Sequence, residues 1–157
     1  MGNCLKVGIL GAGNIAGSMA EALNELQKEG KACAYAVASR SQEKALEFAR
    51  KWNITRAYSS YEELASDPEV DLIYIATPHS LHYEQAKLCM EHGKNVLVEK
   101  AFTANARQAE ELFAMAEEKK VFITEAIWTR YMPSREILTG LLREGVIGTP
   151  QILEAAF

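Results

Sequence analysis

Val7-Gly8-Ile9-Leu10-Gly11-Ala12-Gly13-Asn14-Ile15-Ala16 decides the fold of this chain, because it runs a short apolar strand into a glycine turn and on into a helix. Gly11 permits the tight turn out of the strand, and Gly13 lets backbone amides approach a pyrophosphate that a side chain would block. Ala16, in the third small position, lets the helix pack close to the sheet, and the helix N-terminus offers unpaired N–H groups and the positive end of its dipole. Ile15, Met19, Ala22, Leu23 and Leu26 recur at helical spacing and are expected to form the apolar face. A G-x-G-x-x-A string also occurs in ordinary glycine turns; the strand before it and the helix after it favour a dinucleotide cradle, with the pyrophosphate at Gly11, Gly13, Asn14 and Ile15.

Outward from this unit, strand and helix patterns alternate with short breakers. The first helix stops near Gly30, and residues 32–38 form a second apolar strand ending at Ser39-Arg40-Ser41. Ser41 caps a helix whose Ala45, Phe48, Ala49 and Trp52 share a face. A short strand at 56–59 precedes Ser60 and Glu63, a capping box, and Asp67-Pro68 ends the helix that follows. Residues 71–76 are almost continuously apolar, as a parallel strand covered on both faces should be. Pro78 and Ser80 begin a helix to about His92, closed by Gly93, and a fifth strand at 95–98 ends at Glu99-Lys100. Ala109, Leu112, Phe113 and Ala116 mark the next helix, and 121–124 a sixth strand. The pattern predicts an α/β chain, a doubly wound parallel sheet with right-handed crossovers and helices on both faces.

Composition narrows the classes. At 157 residues, 48% of them hydrophobic, one ordinary α/β domain uses most of the chain. A formal charge of −4 with Lys and Glu interleaved excludes a nucleic-acid surface, which would gather Lys and Arg into a patch. Cys4, Cys33 and Cys89 show neither metal spacing nor a disulfide framework, which points to buried thiols in a reducing cytoplasm. No stretch has the apolar length of a membrane span, and Met1-Gly2-Asn3-Cys4 departs from an acylation signal at Lys6.

Ligands of such sheets lie beyond the carboxyl ends of the strands, so residues there are read first. Where an NAD-selective domain places Asp or Glu against the ribose hydroxyls, the second strand has Ser39 and Arg40. A guanidinium and a hydroxyl suit a ribose 2′-phosphate, hence NADP, with NAD the weaker alternative; the other reading of Arg40 is a solvated arginine. Thr77, Pro78, His79 and His82 follow the fourth strand, on the ribose side; either histidine lines that site or serves as a polar first-turn residue. No cluster at ligand spacing accompanies them, so no metal is expected. After the fifth strand come Glu99 and Lys100. A lysine over a nicotinamide can hydrogen-bond a substrate hydroxyl or carbonyl oxygen, with Glu99 orienting it; out of context the pair reads as a solvated turn.

Taken together, the residues resemble the glucose-fructose oxidoreductase, inositol dehydrogenase and MocA oxidoreductases. The resemblance rests on residues 11–16, on Ala76-Thr77-Pro78 with His82, on Gly93-Lys94-Asn95-Val96-Leu97-Val98-Glu99-Lys100, and on Glu125-Ala126-Ile127-Trp128-Thr129-Arg130-Tyr131-Met132-Pro133. The last stretch is similar to the branch holding dimeric dihydrodiol dehydrogenase and NADP-dependent D-xylose dehydrogenase. It implies a catalytic or substrate-positioning Lys100, a Trp128 at the nicotinamide side or simply packed, an Arg130 that contacts phosphate or substrate, and a sugar, polyol or cyclic diol as substrate. Ala101 stands where the family's Glu-Lys is followed by proline, and His79 where Thr-Pro is followed by asparagine.

The resemblance also implies that residues 1–124 form the cofactor domain. Residues 125–157 would then be a connecting segment, a helix around 134–143 and a first strand at 151–157 of a substrate domain that continues in relatives. That domain would supply a further acid/base residue and the surface of a dimer or tetramer. The alternative function is a non-catalytic NADP-binding module.

Overall fold

The computed structural model describes residues 4–154. Met1, Gly2 and Asn3, where the acylation reading falls, lie outside them, as do Ala155, Ala156 and Phe157. The chain divides into two compact units, with the boundary between Ala126 and Ile127.

In the first unit, β1 (Leu5–Leu10), β2 (Ala32–Ala38), β3 (Arg56–Tyr58), β4 (Leu72–Ile75), β5 (Asn95–Val98) and β6 (Ile123–Glu125) form a parallel sheet. Their order is β3-β2-β1-β4-β5-β6. The chain winds outward from β1 to β3 and then returns to place β4 on the other side of β1. The order therefore reverses between the carboxyl ends of β1 and β4, which is where a doubly wound sheet opens a crevice.

Two cores follow from the alternation of side chains. On one face Val7, Ile9, Ala34, Val37 and Tyr74 meet α1 (Asn14–Lys28) and α2 (Gln42–Trp52). On the other, Leu10, Ile73, Ile75, Val96 and Val98 meet α3 (Tyr61–Ser66), α4 (His82–Glu91) and α5 (Ala106–Lys119). Ile9, Leu10, Ile73 and Ile75 are wholly buried. Each such side chain contributes roughly 1.5–3 kcal/mol, so stability is concentrated in the central strands β1 and β4 that frame the crevice.

Local signals act as the sequence implies at several helix ends. Ser41 accepts the Lys44 N–H at 3.3 Å, and Ser60 with Glu63 makes a reciprocal capping box. Gly93, at φ +70°, follows the end of α4. Other expectations are corrected. Of the expected face of α1, Leu23 is buried and Met19 partly so, but Ile15, Ala22 and Leu26 are exposed; Ala16, Gly17 and Ala20 are buried in their place, because a helix this close to a sheet seats its small residues inward. Phe113 is half exposed and stacks on Phe102, ring centroids 5.3 Å apart. A single 3-10 turn, His79–Leu81, precedes α4. β6 begins at Ile123 rather than at residue 121.

The second unit opens with a 3-10 turn at Trp128–Tyr131 and continues into α6 (Pro133–Arg143), which Pro133 starts without losing a needed donor. Residues 151–154 form no strand, so the predicted strand is absent from the part of it that is described.

Candidate functional site

A row of backbone hydrogen bonds aligns the strand ends. Gly11 N–H donates to Ala38 O at 2.9 Å, Ala76 N–H to Leu10 O at 2.8 Å, Glu99 N–H to Ile75 O at 3.0 Å and Ala126 N–H to Val98 O at 2.7 Å. The glycine turn, Ser39-Arg40, Thr77-Pro78, Glu99-Lys100 and Glu125-Ala126 thus stand along one edge of the sheet.

Gly11 has φ +113°, a conformation that L side chains rarely adopt. A Cβ built on Gly13 would meet nothing within 4 Å. The space there is open, next to the start of α1, whose N-cap Gly13 has no side-chain cap and whose first turn has no acidic residue. The dipole end and the amides of Asn14 and Ile15 are left for an anion. A cavity of about 530 Å³ reaches this turn, lined by Gly13, Asn14, Lys44, Phe48, Lys51 and Trp52. Lys44 is a cation that sequence reading did not single out; it shows itself only when α2 is set beside α1.

At the end of β2, Ser39 N–H donates to Tyr58 O at 3.2 Å and its hydroxyl accepts the Ser41 N–H at 3.3 Å. Arg40 is exposed. Ser39 and Arg40 therefore sit one strand away from the glycine turn, as expected for a group attached to the ribose of a nucleotide bound at that turn. These residues fit a dinucleotide: open cradle, helix terminus and guanidinium lie on one edge.

Beyond β4 the predicted residues separate. Thr77 hydrogen-bonds Gln85, while Pro78 and His79 are exposed. His82 has no exposed surface; its Nδ1 lies 2.8 Å from Ala101 O and its Nε2 2.9 Å from Thr77 O. The His82 ring is enclosed at the carboxyl end of β4 and ties the loop at Thr77 to the loop at Ala101.

Beyond β5, Lys100 is exposed and Glu99 half-buried. Tyr74, on β4 and 1% exposed, donates its O–H to Glu99 Oε1 at 2.6 Å. The other oxygen, Oε2, accepts the Lys100 N–H at 3.1 Å. Burial first, then the Glu99 carboxylate, holds the Tyr74 phenol well above its ordinary pKa, so it remains a donor. Glu125 Oε1 accepts the Phe102 N–H at 2.8 Å. Tyr74 and Glu125 were not among the sequence-predicted site residues; the Lys100–Ala101 peptide between their points of contact is cis.

Trp128 and Arg130 belong to the second unit, where Arg130 N–H donates to Ile127 O at 2.9 Å. Among the described residues no group of three His, Cys, Asp or Glu side chains is arranged to hold a metal ion, and no helix is long and apolar enough to cross a membrane.

Residues 5–126 match the Gfo/Idh/MocA family, described as an oxidoreductase family with an NAD-binding Rossmann fold. The chain is 43% identical over 98% of its length to the trans-1,2-dihydrobenzene-1,2-diol dehydrogenase of Mus musculus, and 41% identical over 97% to that of Xenopus tropicalis. It spans 46% of the length of each of these curated relatives. Among solved structures, the 3-ketoreductase KijD10 from Actinomadura kijaniata with NADP superimposes with a TM-score of 0.83 at 33% identity, over 93% of this chain and 46% of that one. An NAD binding oxidoreductase from Klebsiella pneumoniae gives 0.84 at 28% identity, over 92% of this chain and 40% of its own.

Proposed function

The chain belongs to the Gfo/Idh/MocA oxidoreductase family, and from that premise we propose that it binds NADP along the carboxyl edge of its sheet for hydride exchange with a secondary alcohol or carbonyl of a sugar or cyclic diol. The observation that carries this reading is the placement of Ser39 and Arg40 beside the glycine turn, through the Gly11 to Ala38 hydrogen bond. An acidic residue there would repel a 2′-phosphate; a guanidinium binds it through charge-assisted hydrogen bonds.

In this reading the amides of Gly13, Asn14 and Ile15, at the start of α1, bind the pyrophosphate, and Arg40 with Ser39 binds the 2′-phosphate. When bound, the dinucleotide supplies the nicotinamide between which and the substrate hydride passes. Lys100 holds a proton toward the substrate oxygen, donating as a carbonyl is reduced and steadying the oxygen as an alcohol is oxidised. Glu99 fixes the backbone from which Lys100 projects. The 3-ketoreductase solved with NADP supports the choice of cofactor, and the dihydrodiol dehydrogenases support the class of substrate. The same reading assigns residues 1–124 to cofactor binding in the cytoplasm. It assigns substrate choice and a dimer or tetramer surface to a domain introduced by residues 125–157.

The test is a fluorescence titration with NADPH and with NADH at matched ionic strength, repeated on Arg40→Ala. Saturable binding that favours NADPH and loses about tenfold or more of that preference without Arg40 is the expected result, since hydrogen bonds to charged groups contribute about 1.5–3 kcal/mol. Equal affinity for both nucleotides in the parent chain would overturn the NADP assignment.

A further inference from the structure

Lys100 emerges from a loop whose three successive residues are each held by a side chain, the first by that of its neighbour Glu99 and the other two by side chains from other elements. The Lys100 N–H is held by Glu99 Oε2, and Glu99 is itself held by the Tyr74 O–H from β4. The Ala101 carbonyl lies 2.8 Å from the ring of His82 on α4, and the Phe102 N–H donates to Glu125 Oε1 on β6. An exposed turn ordinarily leaves such backbone groups to water. Here two half-buried carboxylates accept the backbone N–H groups of Lys100 itself and of Phe102, and charge-assisted bonds of this kind are stronger and more directional than bonds to water.

The contacts leave the lysine's own side chain exposed at the sheet edge. Lys100 has a long flexible stem, so where its ammonium can reach depends on where its Cα is fixed. With residues 99–102 anchored to β4, α4 and β6, the stem starts from a point set by three elements rather than by one turn.

We propose that Tyr74 and Glu125 are positioning residues for Lys100: they fix the loop so that its ammonium faces the nicotinamide end of the bound cofactor. The proposal rests on the reading of Lys100 given under Proposed function. Neither residue touches the reacting atoms; each acts through the backbone of residues 99–102.

The experiment measures how fast Lys100 in the full chain is acetylated by acetic anhydride, with and without saturating NADPH, by peptide mass spectrometry against the exposed Lys119 as internal reference. In the parent chain NADPH slows acetylation of Lys100 by about tenfold, the factor that a single well-placed contact of about 1.4 kcal/mol would give. Tyr74→Phe and Glu125→Ala lose most of that protection while binding NADPH within about threefold of the parent, and Glu125→Gln, which keeps the acceptor oxygen, retains it. Full protection in both Tyr74→Phe and Glu125→Ala overturns the proposal and leaves the role of Lys100 intact. Loss of NADPH binding in both also overturns it, since their contacts would then hold the domain and not the lysine. A parent chain that binds NADPH but leaves Lys100 unprotected overturns the reading of Lys100 itself, and the positioning roles with it.

Discussion

Gly11 and Ala76 approach backbone to backbone: a Cβ on Gly11 would stand 2.8 Å from the carbonyl oxygen of Ala76 and 3.2 Å from Cγ2 of Thr77. The two residues directly follow the central strands β1 and β4, and their contact closes the floor of the crevice between them. No side chain fits without parting those strands.

Gly11→Ala therefore meets a clash with backbone and a φ that alanine resists. The cost is about 3 kcal/mol, and the melting temperature falls by roughly 10 °C. Thermal unfolding followed by circular dichroism measures it, alongside loss of NADPH binding. An unchanged melting temperature would mean that β1 and β4 part at little cost.

Lys94 is 8% exposed and donates its ammonium to Asp67 O at 2.6 Å and Val70 O at 3.0 Å, closing the connection between α3 and β4. Lys94→Met keeps the length of the stem but leaves both carbonyls without this donor, at about 2–4 kcal/mol. Urea unfolding should show a lower midpoint with the same slope. A midpoint equal to that of the parent would show that water reaches those carbonyls.

Burial alone would raise the pKa of Asp67, but the Glu69 N–H, the Tyr58 hydroxyl and the Arg56 and Lys94 charges outweigh it and hold the carboxyl below its ordinary 3.8. The folded chain thus binds this proton less readily than the unfolded chain. The contribution is complete above the unfolded pKa and is lost as pH falls through the folded one. Asp67→Asn, compared with the parent in urea at pH 7 and at successively lower pH, should be less stable at neutrality. The gap should close below about pH 4. A gap independent of pH would remove the electrostatic explanation.

Cys89 is fully buried, and burial pushes its thiol up to about 12. At pH 8 it stays protonated and enclosed, so iodoacetamide should label it only when the domain opens. Labelled peptides counted over time, with and without denaturant, give the result. Native-state labelling of Cys89 as fast as that of the half-buried Cys4 would contradict the packing of α4 described above.

The fold was legible because alternation, turn residues and caps are local. Ser41, Ser60 with Glu63, and the glycine that follows α4 act where the sequence puts them. The inward face of α1 was legible only in part, at Met19 and Leu23, because closeness to the sheet and not side-chain size selects the rest. Ile15 and Leu26 are large enough to mark a face, yet Ala16, Gly17 and Ala20 are small enough to touch the sheet. Of the predicted site, the glycine turn and Ser39-Arg40 share an edge because consecutive β-α turns must lie together in a parallel sheet. The attachments of Lys100 were not legible. Tyr74 and Glu99 are 25 residues apart, Phe102 and Glu125 are 23 apart, and only the lateral register of β4, β5 and β6 brings them into contact.

That register has a cost in time as well as in space. β6 is three residues long and is the outermost strand of its sheet, hydrogen-bonded to β5 alone among the described residues, and Glu125 is its last member. Short outer strands fray first when a native domain breathes. Each such opening withdraws the Glu125 carboxylate from Phe102 before the central strands loosen. The lifetime of the ordered lysine loop is then set by an outer strand of the sheet, and amide exchange at Phe102 reports that lifetime directly.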